Sequence, residues 1–170
     1  MIQSVNPAPT DETDGLPMPR RIWAVISVGF ALCMSVLDVN IINIVLPTLS
    51  HDFGTSPAVT TWIINGYQLA IVVSLLSFSA LGEIIGYRKV YLSGIGLFCI
   101  TSLICALSDS FWTLTIARIF QGFSASAITS VNTAQLRYIY PKSQLGRGMG
   151  INAMVVAISA AAGPSVASGI

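Results

Sequence analysis

The sequence predicts an all-α protein: a polytopic bundle of transmembrane helices with five spans. Three observations carry this. Of 170 residues, 54% are hydrophobic and 9% are charged, with a mean hydropathy of +0.76; soluble domains carry about a quarter charged residues. The apolar residues fall into runs long enough for a bilayer core, which takes about 20 helical residues. The basic residues sit in alternate connections between those runs, as in membrane proteins of fixed orientation.

Residues 1–19 differ from the rest. Pro7, Pro9, Pro17 and Pro19 lie among Asp11, Glu12 and Asp14, with little to bury, so a disordered tail is expected. It is no signal peptide, because Arg20 and Arg21 precede an apolar run longer than the roughly 7–15 residues of a signal core. Residues 20–170 form the transmembrane domain, with spans near 22–46, 59–82, 90–108, 111–136 and 148–170. Helices are expected because lipid offers open backbone groups no partner. A membrane barrel would show strands of about 10 residues alternating in polarity.

Orientation follows from charge. Arg20 and Arg21 precede the first span, Arg88 and Lys89 separate the second from the third, and Arg137, Lys142 and Arg147 separate the fourth from the fifth. The other two connections hold His51, Asp52 and Asp109. This places the N-terminus in the cytoplasm. Trp23, Trp62, Trp112, Tyr87 and Tyr140 fall near span ends, where interfacial aromatics are favoured. The chain ends at Ile170 inside an apolar run, so the expectation is the front part of a longer protein, with a genuinely short product as the alternative.

Two rows of small residues suggest close helix packing. Gly122, Ser126, Ser130 and Ala134 recur every four residues in the fourth span, and Ala153, Ala157, Ala161, Ser165 and Gly169 do so in the fifth. Both rows are expected to meet a neighbour. Cys33, Cys99 and Cys105 lie in apolar runs without metal or disulfide spacing and read as packing residues. No metal site or cofactor is expected. An enzyme is not expected either, since no nucleotide loop or nucleophile–base pair is present and His51 is the single histidine. Nor does a net charge of +1 indicate nucleic acid.

The informative residues are polar ones inside the spans. Asp38 lies within the first span and Arg118 within the fourth; an ionised group there costs about 2.5–3.5 kcal/mol on insertion scales. If Pro47 marks the outer end of the first span, Asp38 lies about 13 Å below it, and Arg118 lies about 10 Å below Phe111. The matching depths make pairing possible, either as a static pair or as a proton- or substrate-linked site. Asn40, Asn43, Asn65, Gln68 and Gln121 are cavity-lining candidates or interhelical hydrogen-bond partners, and Gln121 shares a face with Arg118. Asn132 and Gln135 share a face farther along the same span. Gly163 and Pro164 interrupt the fifth span with a kink, passive or gating.

Four segments, in order, resemble the major facilitator superfamily, and most closely its fourteen-helix drug:proton antiporter branch. The run from Leu37 to Pro47, containing Asp38 and Asn43, is similar to the branch's first-span motif L-D-x-T-I-V-N-V-A-L-P, with Asn40 for the usual Thr. The stretch from Leu81 to Lys89, which holds Gly82, Gly86, Arg88 and Lys89, resembles the loop G-x-L-A-D-R-x-G-R-K. There Glu83 replaces the Asp, Ile84 the first basic residue and Ser79 the first Gly. Leu114, Arg118, Gln121 and Gly122 match L-x-x-x-R-x-x-Q-G. Gly163 and Pro164 open a version of G-P-x-x-G-G in which Ala167 and Ser168 replace the paired glycines.

The resemblance implies inverted three-helix repeats and alternating access between two six-helix bundles, of which this chain supplies five helices. It implies a multi-pass protein of a bacterial inner membrane, a proton-coupled exporter of small hydrophobic or cationic molecules. Asp38 and Arg118 would serve coupling, Glu83, Arg88 and Lys89 a cytoplasmic latch, and Gly163 and Pro164 a gate. Its partners would be the bilayer, protons, the substrate and the C-terminal half of the chain. An importer or metabolite carrier on the same fold, or a truncated non-transporting membrane protein, are the alternatives.

Overall fold

The computed structural model describes residues 15–167. Residues 1–14, which hold most of the expected tail, and residues 168–170, with Ser168 and Gly169, lie outside it. All regular structure among the described residues is helical. The elements are α1 (Met18–Asp52), the single turn α2 (Pro57–Thr60), α3 (Trp62–Ile85), α4 (Tyr87–Ala106), α5 (Phe111–Ile139) and α6 (Leu145–Ala167). A short 3₁₀ turn, Lys142–Gln144, precedes α6.

The helices run past the expected spans. α1 already includes Met18 and Pro19, with proline in its first turn, where its missing N–H costs nothing. It also continues through Pro47 instead of ending there. One absent N–H forfeits one bond, and the helix then closes where the Phe53 N–H reaches Leu49 and the Gly54 N–H reaches His51. α6 likewise passes through Pro164.

α5 is the centre of the bundle. It packs along α3 and α4 and reaches α1, while α6 lies along α1. Four helical segments are long and apolar enough to cross a membrane, α2 and α3 counting as one, and α5 falls short. Position explains the difference: α5 buries residues all round, including Ala125, Ile128 and Val131, and carries Arg118, Gln121, Ser124, Ser126 and Asn132 into the interior. A helix enclosed by other helices can hold polar groups that lipid would reject. The outer helices turn Phe30, Val73, Leu76, Ile100 and Ile158 outward, each more than half exposed.

Glycines allow the closest approaches. A Cβ at Gly122 would lie 2.5 Å from the Tyr67 carbonyl oxygen, and one at Gly94 would lie 3.1 Å from the Ala127 Cβ. The row Gly122–Ser126 therefore faces α3, where the Ser126 hydroxyl donates to the Ile71 carbonyl at 3.3 Å. The α6 row behaves otherwise: Ala153, Ala157, Ala161 and Ser165 are exposed. α6 meets α1 through a different face, with Val155 beside Gly29 and Gly163 beside Asn40. Each of these two α1–α6 points sets a glycine on one helix against a larger side chain on the other, which a uniform stripe of alanines does not provide.

The α3–α4 connection is one residue, Gly86, with φ +100°. A side chain there would have space around it but the wrong backbone conformation. Gly86→Ala should lower stability by about 1–3 kcal/mol. Thermal unfolding of the full-length protein in detergent measures it; an unchanged melting temperature would show that the turn adapts.

Candidate functional site

The interior polar site assembles on three helices around α5. Asp38 on α1 and Arg118 on α5 form an ion pair, with the guanidinium NH1 donating to the Asp38 Oδ2 at 2.5 Å. Arg118 is 3% exposed and the Asp38 side chain 22%, so the carboxylate is the less enclosed member of the pair. Gln121, one helical turn beyond Arg118, is wholly buried. Its Oε1 accepts from Arg118 NH1 at 2.6 Å, and its Nε2 donates to Asp38 Oδ1 at 3.2 Å and to Ser102 Oγ at 2.8 Å. The Cys105 thiol lies 3.6 Å from the same Oε1. The Tyr67 ring on α3 faces the guanidinium at 5.4 Å, a distance at which an arginine is attracted to the aromatic face.

The charges here are balanced and mutually held. An unpaired charge at such depth is costly, and a paired one is tolerated when hydrogen bonds satisfy its remaining atoms. Asp38 receives one donor on each oxygen. Arg118 is less complete: its Nε is buried without a partner. The guanidinium therefore holds a spare donor inside the bundle. Among the described residues no three His, Cys, Asp or Glu converge as a metal ion would require.

The other candidates sit apart. Asn40 turns its amide to the Val36 carbonyl at 2.9 Å and packs against Gly163. Asn43 bonds to the Val39 carbonyl and is exposed, and Asn65 and Gln68 are exposed on α3. None of these four joins the Asp38–Arg118 cluster. Asn132 is buried on α5 with its Oδ1 unpartnered, well along the helix from the pair.

At the opposite end, Gly82, Glu83, Gly86 and Arg88 line an open cavity of about 890 Å³ with Arg20 and Gln135. Glu83, Arg88 and Lys89 are exposed, and among the described residues no ion pair joins them. Arg21 instead ties the start of α1 to the turn before α6, donating to the Leu16 carbonyl and to Gln144.

Three members of the cluster escaped the sequence reading: Tyr67, Ser102 and Cys105. The depth argument applied to Asp38 and Arg118 would have found two of them. Tyr67 lies about 12 Å past residue 59, and Ser102 about 9 Å short of residue 108, at 1.5 Å per residue. Cys105 was read as an apolar packing residue; it joins a polar network instead, because the buried Gln121 oxygen offers its thiol an acceptor.

Residues 28–170 match the Major Facilitator Superfamily. The chain is 51% identical over 95% of its length to the uncharacterized transporter YebQ of Escherichia coli (strain K12), covering 35% of that protein. It is 32% identical over 86% of its length to the riboflavin transporter RibZ of Clostridioides difficile (strain 630), covering 32% of it. It is 30% identical over 89% of its length to the drug efflux pump JefA of Mycobacterium tuberculosis (strain CDC 1551 / Oshkosh), covering 30% of it. The chain thus spans about a third of the length of these relatives. With its apolar helices around a buried ion pair, it is a multi-pass membrane protein and belongs to the major facilitator superfamily.

Proposed function

We propose that this chain is the front part of a proton-coupled secondary transporter that exports small hydrophobic or cationic molecules. The observation that carries the reading is the interior pair, Asp38 with Arg118, bridged by Gln121. With Asp38 ionised the pair is neutral overall. Protonating it leaves a net positive charge at the same depth, which disfavours a cationic substrate there. Proton and cation thus compete for one carboxylate, the physical requirement of exchange. The proton also frees an Arg118 donor, and a freed buried cation must find a new partner. That need favours a second arrangement of the helices, as alternating access requires.

The drug efflux relative supports export. The basic residues gathered at one end support a cytoplasmic N-terminus, and the Escherichia coli relative supports a bacterial inner membrane as the location. Glu83, Arg88 and Lys89, exposed at that end, are free to contact the rest of the protein as a latch, and Gly163 gives the gate its close contact with Asn40. A second reading, an importer or metabolite carrier, is favoured by the riboflavin transporter among the relatives.

Everted bacterial membrane vesicles holding the full-length protein separate the two. Ethidium should accumulate when the lumen is acidified and leak out when the gradient is collapsed, and Asp38→Asn should reduce accumulation to that of vesicles lacking the protein. Accumulation independent of the gradient, or intact in Asp38→Asn, would refute the coupling role; riboflavin movement in the opposite sense would favour the importer.

A further inference from the structure

The cavity of about 890 Å³ beside the start of α1 has a basic mouth and an apolar body. Its volume falls within the roughly 300–1,000 Å³ of small-molecule sites. Arg20 on α1 and Arg88 on α4 bring two guanidinium groups to it, against the single carboxylate of Glu83. Among the described residues neither arginine has an ion-pair or side-chain hydrogen-bond partner, whereas neighbouring Arg21 is engaged by Leu16 and Gln144. One to two turns farther along the same helices the lining becomes apolar, with Ala24, Val28 and Leu92. Leu92 is also 55% exposed, so the cavity reaches the outer, apolar surface of the bundle. The Tyr91 hydroxyl closes the floor, donating from α4 to the Ser27 carbonyl of α1 at 3.1 Å; Ser27 lies about 10 Å farther along α1 than Arg20. Tyr87 and Tyr138, with rings 6.3 Å apart, line it near the helix ends, the level at which tyrosine meets lipid headgroups.

We propose that this cavity holds one anionic glycerophospholipid of the surrounding bilayer, with its phosphate at Arg20 and Arg88 and the upper part of an acyl chain along Ala24, Val28 and Leu92. Basic pockets between transmembrane helices recognise such headgroups, and guanidinium matches phosphate in charge and in its fork of donors. A soluble phosphate compound would leave the apolar body unfilled, and a neutral apolar molecule would leave the excess positive charge uncompensated. Two arginines against one carboxylate favour a headgroup of net negative charge over one whose ammonium cancels its phosphate. Arg20 belongs to none of the four motif-like segments and carries the assignment, since Arg88 is shared with the latch reading. Lipid binding here is independent of what the protein transports and in which direction.

Native mass spectrometry of the full-length protein in detergent, titrated with dioleoyl phosphatidylglycerol, phosphatidylethanolamine or phosphatidylcholine, tests the site through the first lipid bound. Phosphatidylglycerol should bind most tightly. Arg20→Gln should weaken it about fivefold, and Arg20→Gln with Arg88→Gln about thirtyfold. Arg147→Gln should leave it unchanged, because Arg147 is exposed at the same end but does not line the cavity. An excess of glycerol phosphate should not displace the lipid. Arg20 and Arg88 are exposed, so without added lipid the variants should melt as the wild type does. Equal losses in Arg20→Gln and Arg147→Gln would reveal only diffuse attraction and overturn the proposal. No loss in the double variant, the result if the rest of the chain fills the cavity, overturns it too. Phosphatidylethanolamine bound as tightly as phosphatidylglycerol would refute the anionic headgroup, and displacement by glycerol phosphate would refute the lipid.

Discussion

Arg118→Ala in the full-length protein should abolish proton-driven ethidium accumulation and also destabilise the fold. The substitution leaves the Asp38 carboxylate without its cation and the buried Gln121 oxygen without its strongest donor. Breaking a buried pair by removing one partner costs about 3–5 kcal/mol, mainly because the remaining charge is uncompensated. The double substitution Asp38→Asn with Arg118→Gln removes both charges and keeps polar side chains of similar shape. Its melting temperature should recover most of what Arg118→Ala loses, because no lone charge remains. Transport is the deciding readout. A pair that only fixes the bundle predicts a double variant that folds and transports; a working pair predicts one that folds and does not. Transport in the double variant would therefore reduce Asp38 and Arg118 to structural cement.

How far the sequence revealed this site depends on which coordinate is asked for. Depth in the membrane is readable, because each residue advances a helix by 1.5 Å and successive spans run in opposite directions. Depth brought Asp38 and Arg118 to one level, and they pair. Azimuth is not readable in the same way. Asn65 and Gln68 share a face of α3, but Gly66, Tyr67 and Ala70 are the residues turned to α5, because there Gly122 admits the α3 backbone. The small-residue rows show the same limit. Gly122 and Ser126 meet a neighbour and Ala153, Ala157 and Ala161 do not, although their spacing is identical. What differs is the partner: α3 offers a backbone carbonyl and the small Ala70 to Gly122, whereas α1 meets α6 through Gly29 and Asn40 on another face. The polarity of α5 carried a further signal. A span holding Arg118, Gln121, Ser124, Ser126 and Asn132 is tolerable only when enclosed by other helices, and α5 occupies the centre.

That centre has one point where no side chain fits. A Cβ at Gly122 would lie 2.5 Å from the Tyr67 carbonyl oxygen and 2.8 Å from the Ala70 Cβ. Neither is the end of a flexible side chain, so relief requires α3 and α5 to move apart. Separation would weaken the Ser126–Ile71 bond, already 3.3 Å, and draw the Tyr67 ring away from the guanidinium it faces. Gly122→Ala should therefore lower stability by about 1–3 kcal/mol, the range for overpacking a well-filled interior, and should impair transport with it. Gly96→Ala is the informative comparison. Gly96 also lies within a helix, α4, but a Cβ there would have nothing within 4 Å. Alanine is the better helix former by about 1 kcal/mol, so Gly96→Ala should match or exceed the wild-type melting temperature. The two substitutions are chemically the same, and opposite shifts would assign the loss at Gly122 to the contact with α3. Equal melting temperatures would mean that α3 and α5 do not approach this closely, and that the stacking of Tyr67 on Arg118 has some other support.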